Sequence, residues 1–302
     1  MTAKTTTGSL LSGAASDTGL VRDRNEDRYW IDSARGVFLV VDGVGGQAGG
    51  AVAAEIAVKA IRETIFQPGT PEERIRSAIT QANNRIFEKA NGELQGMACV
   101  LTVAVVENGE VTIGHVGDSR LYLIWRGEIR KLTSDHSPVG EEEDAGELEE
   151  TEAMLHPRRH EVFREVGSRV RAADDEDFIE IRRCRFSPDA ALLLCSDGLT
   201  DLVTAAQVHE IVGRYDGDPA RVARELVEAA NRAGGVDNVT ALFVAGAEFR
   251  SAPARFSRIT RPRLSPTRVN APRAIFTGRL AFLAYGLMIG MLLWAVFRAA
   301  RG

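Results

Sequence analysis

The sequence predicts an α+β fold in which antiparallel strands pack against helices. Two hairpin signals favour antiparallel strands: Asn108-Gly109 lies between two apolar runs, and Arg126-Gly127 lies between two more. Two helical stretches follow each other directly instead of alternating with single strands. A parallel α/β sheet, in which a helix follows each strand, is therefore disfavoured.

The elements of the first half are marked by apolar runs and by breaking residues. Val37–Val41 is β-branched and apolar, which is typical of a strand buried on both faces. Helices are expected at about 50–65 and 71–90, the second with Pro71 in its first turn and a stop at Asn91-Gly92. The hairpin strands are expected at 100–106 with 111–116, and at 121–125 with 129–132.

The second half contains an acidic insertion, further strands and one long helix. Residues 141–152 have many acidic and few apolar side chains, so a mobile surface element is expected there. A helix over 220–233 should end at Gly234-Gly235. Residues 249–279 are rich in Pro and Arg, which is typical of a linker. Further strands are expected at 178–181, 191–195 and 239–244.

Charge is segregated along the chain. The formal net charge of −5 combines −15 over the first 248 residues with ten arginines in a C-terminal region that contains no Asp, Glu or Lys. The acidic body disfavours nucleic acid as a partner, because phosphate backbones select basic surfaces. Cys99, Cys184 and Cys195 are odd in number and lack metal-site spacing, so they indicate neither disulfides nor zinc.

The C-terminal region predicts a transmembrane helix at 280–297. This stretch is uncharged and apolar or small throughout, and as a helix it would span roughly 27 Å, close to the hydrocarbon thickness of a bilayer. The alternative is a buried core helix. Eight arginines precede the stretch and two follow it, so the positive-inside rule places residues 1–248 in the cytoplasm and 298–302 outside. We therefore expect a single-pass inner-membrane protein, whose linker at 249–279 either binds anionic lipid or only sets the topology.

Carboxylates stand beside the buried strands at several points. Asp42-Gly43, Gly117-Asp118 and Asp197-Gly198 follow such strands, Asp237-Asn238 precedes one, and Glu26-Asp27 lies near the start. One of these alone would mean little, since turns favour Asp and Gly. Together they need a countercharge, and no basic residue stands beside the Asp-Gly and Asp-Asn junctions. The available ligands are oxygens, which favour Mg²⁺ or Mn²⁺ over zinc.

Six segments in order resemble the bacterial form of the metal-dependent, type 2C (PPM) serine/threonine protein phosphatases. They cover roughly residues 15–246, and although each alone is a weak signal, six in the family's order are specific. The segments are GLVRDRNED at 19–27, VDGVGG at 41–46, VGDSR at 116–120, LTSDHS at 132–137, LCSDGL at 194–199 and GGVDNVT at 234–240.

The resemblance implies a four-layer α-β-β-α sandwich with two metal ions in a cleft at one end, and a metal-activated water that hydrolyses phosphoserine and phosphothreonine. Arg22 matches the position that grips the substrate phosphate; the alternative is a surface salt bridge with Asp23 or Glu26. Asp27 and Asn238 would support the metal ligands from behind. The implied ligands are Asp42 on both ions, Asp197 and Asp237 on one, Glu26 and the Gly43 carbonyl on the other, and Asp118 with Asp197 on a third, weaker ion.

Two departures from the family pattern affect the chemistry. Many eukaryotic relatives carry a His after the Asp-Gly pair, proposed as the acid that protonates the leaving group, and this chain has Val44 there. His136 and His156 are candidates for that acid by residue type alone, and a structural role is expected for each. Gly96-Met97-Ala98 replaces the usual Gly-Thr-Thr run, but every ligand position is retained.

Three functions remain open at this point. The first is an active phosphatase that opposes a serine/threonine kinase, and the intact carboxylate set favours it. The second is a catalytically weak or inactive module that binds phosphoproteins, and the third is a phosphatase for one regulatory partner. The acidic half of residues 141–167, which take the place of the family's flap beside the cleft, should favour basic sequences around the phosphosite.

Overall fold

Two five-stranded antiparallel sheets form the centre of the domain. The computed structural model describes residues 10–45, 49–90 and 96–251, and within these ranges the sheets have the orders β1-β10-β9-β6-β7 and β2-β3-β4-β5-β8. The predicted antiparallel α+β fold is confirmed. The strands are β1 Leu11–Asp17, β2 Arg28–Asp32, β3 Val37–Val44, β4 Ala98–Glu107, β5 Glu110–Val116, β6 Arg120–Trp125, β7 Glu128–Lys131, β8 Glu180–Arg185, β9 Ala190–Cys195 and β10 Val239–Ala245.

Helices cover the outer faces of both sheets, which gives the four layers. One apolar layer joins α1 and α2 to the second sheet, another joins α6 and α7 to the first sheet, and a third lies between the two sheets. The helices of the described ranges are α1 Gly49–Thr64, α2 Pro71–Ala90, α3 Pro138–Ala145, α4 Glu150–Met154, α5 Asp197–Thr200, α6 Ala205–Val212 and α7 Pro219–Arg232.

Strand β3 shows why its sequence is apolar without alternation. Leu39 and Val41 belong to the layer beneath α1 and α2, whereas Phe38 and Val40 belong to the layer between the sheets. Side chains of a strand point alternately to its two faces, so a strand covered on both faces is apolar at every position. Each large side chain buried in this way contributes about 1.5–3 kcal/mol to the free energy of folding.

Both predicted hairpins are present, with the turns that the sequence indicates. The φ angles are +54° and +76° at Asn108 and Gly109, and +52° and +78° at Arg126 and Gly127. Positive φ at both central residues is the type I′ pattern, whose twist matches that of the flanking strands. Strand β8 begins two residues later than expected.

The acidic insertion, expected to be a mobile surface element, instead forms α3 and α4. Ser137 caps α3 by accepting a hydrogen bond from the Gly140 amide at 3.0 Å. Two cations outside the insertion then draw its acidic side chains inward. Arg120 Nη2 lies 2.6 Å from Glu143 Oε2, and Lys131 Nζ lies 3.0 Å from Asp144 Oδ1. Acidity here therefore reflects buried ion pairing as well as exposure.

Asp135 joins the two cations of this network. Its carboxylate lies 2.6 Å from Arg120 Nη2 and 3.1 Å from Lys131 Nζ, and the residue is 5% exposed. Burial alone would raise the pKa of Asp135, but the positive charges of Arg120 and Lys131 lower it to about 2. The ionised form of Asp135 therefore stabilises the fold.

We expect Asp135→Asn to lower the free energy of unfolding at pH 7 by about 3 kcal/mol, because it leaves two buried cations short of a counterion. Since the folded-state pKa of Asp135 is depressed, its contribution is complete above pH 4 and disappears as the pH falls towards 2. Urea titrations of both chains should show the difference narrowing over that interval. A difference independent of pH would contradict the ion-pair explanation.

No helix in the described ranges is both long and apolar enough to cross a membrane. The transmembrane helix predicted at 280–297, the tail after it and the linker from residue 252 onwards lie outside the described residues.

Candidate active site

The carboxylates predicted from the sequence meet at one end of the sandwich. Strands β3, β5 and β9 end there and β10 begins there, because β3 and β5 run in the same direction and β9 pairs antiparallel with β10. An open cleft of about 810 Å³ occupies this end. The predicted site residues that line it are Arg22, Glu26, Asp42, Gly43, Asp118, Asp197, Asp237 and Asn238.

The cleft concentrates negative charge that the protein does not neutralise. Burial and the charge of neighbouring Asp27 and Asp197 raise the pKa of Asp42 well above its usual range. Burial and the charge of Asp197 do the same for the pKa of Asp118. Asp197 Oδ1 is buried and has no hydrogen-bond partner among the described residues. An oxygen-only set with this surplus of charge fits hard divalent cations such as Mg²⁺ or Mn²⁺.

Arg22 is the cation nearest to the carboxylates, and its pairing was not expected. Its Nη2 lies 2.7 Å from Asp237 Oδ2, not against Asp23 or Glu26. The hydrogen bond to Asp237 raises the pKa of Arg22 further. The Arg22 side chain is still 57% exposed, so much of its planar donor fork remains open to the cleft.

Asn238 holds the N-terminal segment against the start of β10. Its Oδ1 accepts a hydrogen bond from the Glu26 amide at 2.8 Å, while its Nδ2 donates to the carbonyls of Thr18 and Arg24 at 2.9 and 2.8 Å. All four bonding positions of an amide side chain cannot be met by Asp or Leu, so Asn is suited to this clamp. The predicted supporting position of Asn238 is matched by this geometry.

Two glycines let α1 approach Glu26. A Cβ at Gly43 would overlap the backbone of Gly50, and a Cβ at Gly50 would overlap the Glu26 carboxylate. The start of α1 therefore lies directly against the Asp42-Gly43 turn. This approach also leaves the Gly43 carbonyl at the lining of the cleft.

Asp27 lies behind the cleft and not in it. It is 2% exposed, and its Oδ2 accepts a hydrogen bond from Ser196 Oγ at 2.7 Å. Ser196 Oγ in turn accepts from the Thr240 amide at 2.9 Å. Burial is the main cause that raises the pKa of Asp27 to about 7, and the charges of Asp197 and Asp237 act in the same direction. Asp27 thus connects the segment before β2 to the ends of β9 and β10.

The two histidines proposed by residue type do not line the cleft. His136 is 5% exposed and its Nδ1 accepts a hydrogen bond from the Gly117 amide at 3.0 Å. Burial and the positive charge of neighbours lower its pKa to about 2, so His136 is neutral and structural, as expected. His156 Nδ1 accepts from the Arg158 amide at 3.1 Å.

His160 does line the cleft, and sequence reasoning missed it. Its Nδ1 lies 3.8 Å from Asp197 Oδ2 and 3.5 Å from Asp201 Oδ2. A hydrogen bond with Asp197 raises the pKa of His160. The available signal was its place within 141–167, the stretch expected beside the cleft. Val44 lines the cleft as well and offers no proton.

Comparisons with known proteins agree with this geometry. The profile of the family described as Protein phosphatase 2C matches residues 19–226. The chain belongs to the protein phosphatase 2C family. Serine/threonine phosphatase stp of Listeria innocua is 34% identical over 239 residues, which are 76% of this chain and 92% of that protein.

Solved structures of the family have the same fold. The Mycobacterium tuberculosis serine/threonine phosphatase PstP/Ppp superposes with a TM-score of 0.70 at 30% identity, over 78% of this chain and 98% of that one. The catalytic domain of PstP in complex with two manganese ions gives a TM-score of 0.68, also at 30% identity, over 78% and 97% of the two chains.

The uncompensated charge of the cleft leads to a prediction about stability. Without divalent metal, we expect Asp42→Asn to unfold at a higher urea concentration than the wild type, by about 1–3 kcal/mol, because one buried like charge is removed. With Mn²⁺ at about 100 times its Kd, the wild type should gain about 2.7 kcal/mol and the order should reverse.

The matched control is Asp174→Asn, which changes an exposed carboxylate outside the cleft and should alter neither condition. If Asp42→Asn were the less stable chain in EDTA, the carboxylate cluster would not be a source of repulsion.

Proposed function

We propose that this chain hydrolyses phosphoserine and phosphothreonine in proteins, in a reaction that depends on Mn²⁺ or Mg²⁺. The observation that carries the proposal is the convergence of Asp42, Asp118, Asp197 and Asp237 in an open cleft without enough positive charge to balance them. Membership of the protein phosphatase 2C family supports the same reaction.

The ligands that we propose follow from the lining of the cleft. Divalent ions bound there would lower the pKa of the water that attacks phosphorus and offset the charge on the phosphoryl oxygens. The PstP complex with two manganese ions supports a two-ion site. The proposed ligands are Glu26, Asp42, the Gly43 carbonyl, Asp197 and Asp237 for two ions, and Asp118 with Asp197 for a third.

The remaining residues bind and orient. Arg22 places a charged, planar donor fork at the mouth of the cleft, where it can hold two oxygens of a phosphate. Asn238 fixes the backbone that carries Arg22 and Glu26 by its three hydrogen bonds. Asp27 fixes the end of β9 through Ser196. These contacts predate substrate binding, so little reorganisation is needed during the reaction.

The alternative is a binding module of the same fold with weak or no turnover. Both functions need a phosphate site, but only hydrolysis needs the full set of carboxylates, and this chain retains it. The intact set therefore favours the enzyme. The physiological substrates that we propose are products of a serine/threonine kinase.

Release of phosphate from a phosphothreonine peptide tests the proposal directly. We expect release with Mn²⁺ and none in EDTA. Asp42→Asn should lower kcat by about 10³-fold or more, and Arg22→Ala should lower kcat/KM by about 10–100-fold through the lost charge-assisted hydrogen bonds. Asp174→Asn should retain the wild-type rate. Binding of the peptide without release would favour the module.

We also propose that residues 280–297 anchor the protein in the inner membrane with the catalytic domain in the cytoplasm. The arginine asymmetry and the apolar length of the stretch support this topology. The domain itself ends at Phe249, which is 3% exposed and packs against the rings of Tyr215 and Phe243 at centroid distances of 5.2 and 5.9 Å.

The position of Phe249 suits a tether. Strand β10 begins beside Asp237 in the cleft and runs for seven residues, about 23 Å, before Phe249 follows. The described chain thus leaves the domain at the end opposite to the cleft. A tether attached there leaves the cleft accessible to soluble substrates.

A chain that ends at Ser251 should be soluble and fully active, because it retains Phe249. The full-length chain should sediment with membranes, and Ile289→Arg, which places a charge in the middle of 280–297, should weaken that association. The fraction of protein in the membrane pellet and the phosphatase rate in each fraction are the measurements. Sedimentation of the chain ending at Ser251 with membranes would refute the anchor.

A further inference from the structure

Three aliphatic side chains form an exposed patch at the rim of the cleft. Leu20 is 69% exposed, Val21 66% and Val236 37%. The Leu20 amide donates a hydrogen bond to the Gly235 carbonyl at 2.7 Å, and a Cβ at Gly235 would overlap the Leu20 side chain. The two segments that carry the patch are therefore in direct contact. We call these three residues the apolar rim.

The apolar rim is continuous with the phosphate end of the cleft. Val21 lines the cleft, and it directly precedes Arg22. Val236 directly precedes Asp237, and Arg22 and Asp237 form the ion pair at 2.7 Å. Each segment thus passes from an exposed aliphatic residue to a charged residue inside the cleft. Val162, on the opposite wall of the cleft, adds apolar surface there.

The exposed side chains of the apolar rim are not what holds this segment in place. Gly19 lies so close to the Asp237 carbonyl that a Cβ would overlap it, at a φ of +79°. The backbone is fixed by this approach, by the Leu20 amide and by the hydrogen bonds of Asn238 to Thr18 and Arg24. Exposed aliphatic side chains with no part in packing are typical of contact surfaces.

We propose that the apolar rim binds an aliphatic or aromatic residue next to the phosphorylated serine or threonine of an extended protein substrate. This inference rests on the proposed phosphatase function. An extended chain advances about 3.3 Å per residue, so residues one to three positions from the phosphosite lie within about 10 Å of it. Leu20 and Val21 stand at the same sequence distances from Arg22. A chain whose phosphate contacts Arg22 consequently passes over the apolar rim.

Paired phosphothreonine peptides test the inference. They share a Ser- and Gly-rich background and differ by one Leu, placed in turn at each of the three positions on either side of phosphothreonine. For the wild type we expect kcat/KM to rise by about tenfold for Leu at one or more of these positions, which is the usual discrimination from one apolar group. Leu20→Ser and Val21→Ser should remove most of that rise and leave the rate on the Leu-free peptide within about twofold.

The matched control is Val170→Ser. Val170 is 63% exposed but lies on a segment whose neighbours bond to Asn83 and Asn84 of α2, away from the cleft. It should keep the full preference for Leu. Equal kcat/KM on all peptides, or a preference that persists in both rim variants, would overturn the inference while the phosphatase function stands.

Two further outcomes separate the remaining occupants of this surface. No release from any peptide would contradict the phosphatase function itself. A concentration-dependent dimer of the chain ending at Ser251 that Leu20→Ser dissociates would show that a second copy covers the apolar rim, which would also overturn the inference. Analytical ultracentrifugation of the wild type and of Leu20→Ser provides that measurement.

Discussion

The repulsion among buried carboxylates at one end of the sandwich is the constraint on which this structure depends. Asp42, Asp118 and Asp197 lie at the ends of strands whose other residues are apolar, and burial raises the pKa of the first two. Such an arrangement is unstable by itself. It persists because the residues around it leave no freedom to separate: Gly43 contacts α1, Asn238 clamps the N-terminal segment, and Asp27 binds Ser196.

The stability that offsets this repulsion comes from elsewhere in the domain. Three apolar layers bury both faces of both sheets, and a buried ion network around Arg120 and Lys131 fixes the acidic insertion. The two charged regions obey opposite rules. In the ion network cations lower the pKa of Asp135, whereas in the cleft like charges and burial raise the pKa of Asp42. Function occupies the region where the protein leaves charge unbalanced.

Local patterns predicted the parts of the fold that depend on neighbouring residues, and missed those that depend on distant ones. The type I′ turns and the doubly buried strand β3 follow from short stretches, and the clustered acids follow from their places after strands. The helical state of 141–152 depends on Arg120 and Lys131, which are far outside the insertion. Arg22 pairs with Asp237, 215 residues later, and no local pattern reveals that contact.

Selectivity in such an enzyme has to come from outside the phosphate site. The carboxylates and Arg22 meet groups that are the same in every phosphoserine or phosphothreonine protein, so they stabilise all of these substrates alike. Discrimination requires contacts that differ between substrates, and the lining of the cleft offers these at its rim. The apolar rim and the flap with His160 border the same opening but have different chemistry. A substrate that contacts both would be selected by the residues beside its phosphosite and not by the phosphate.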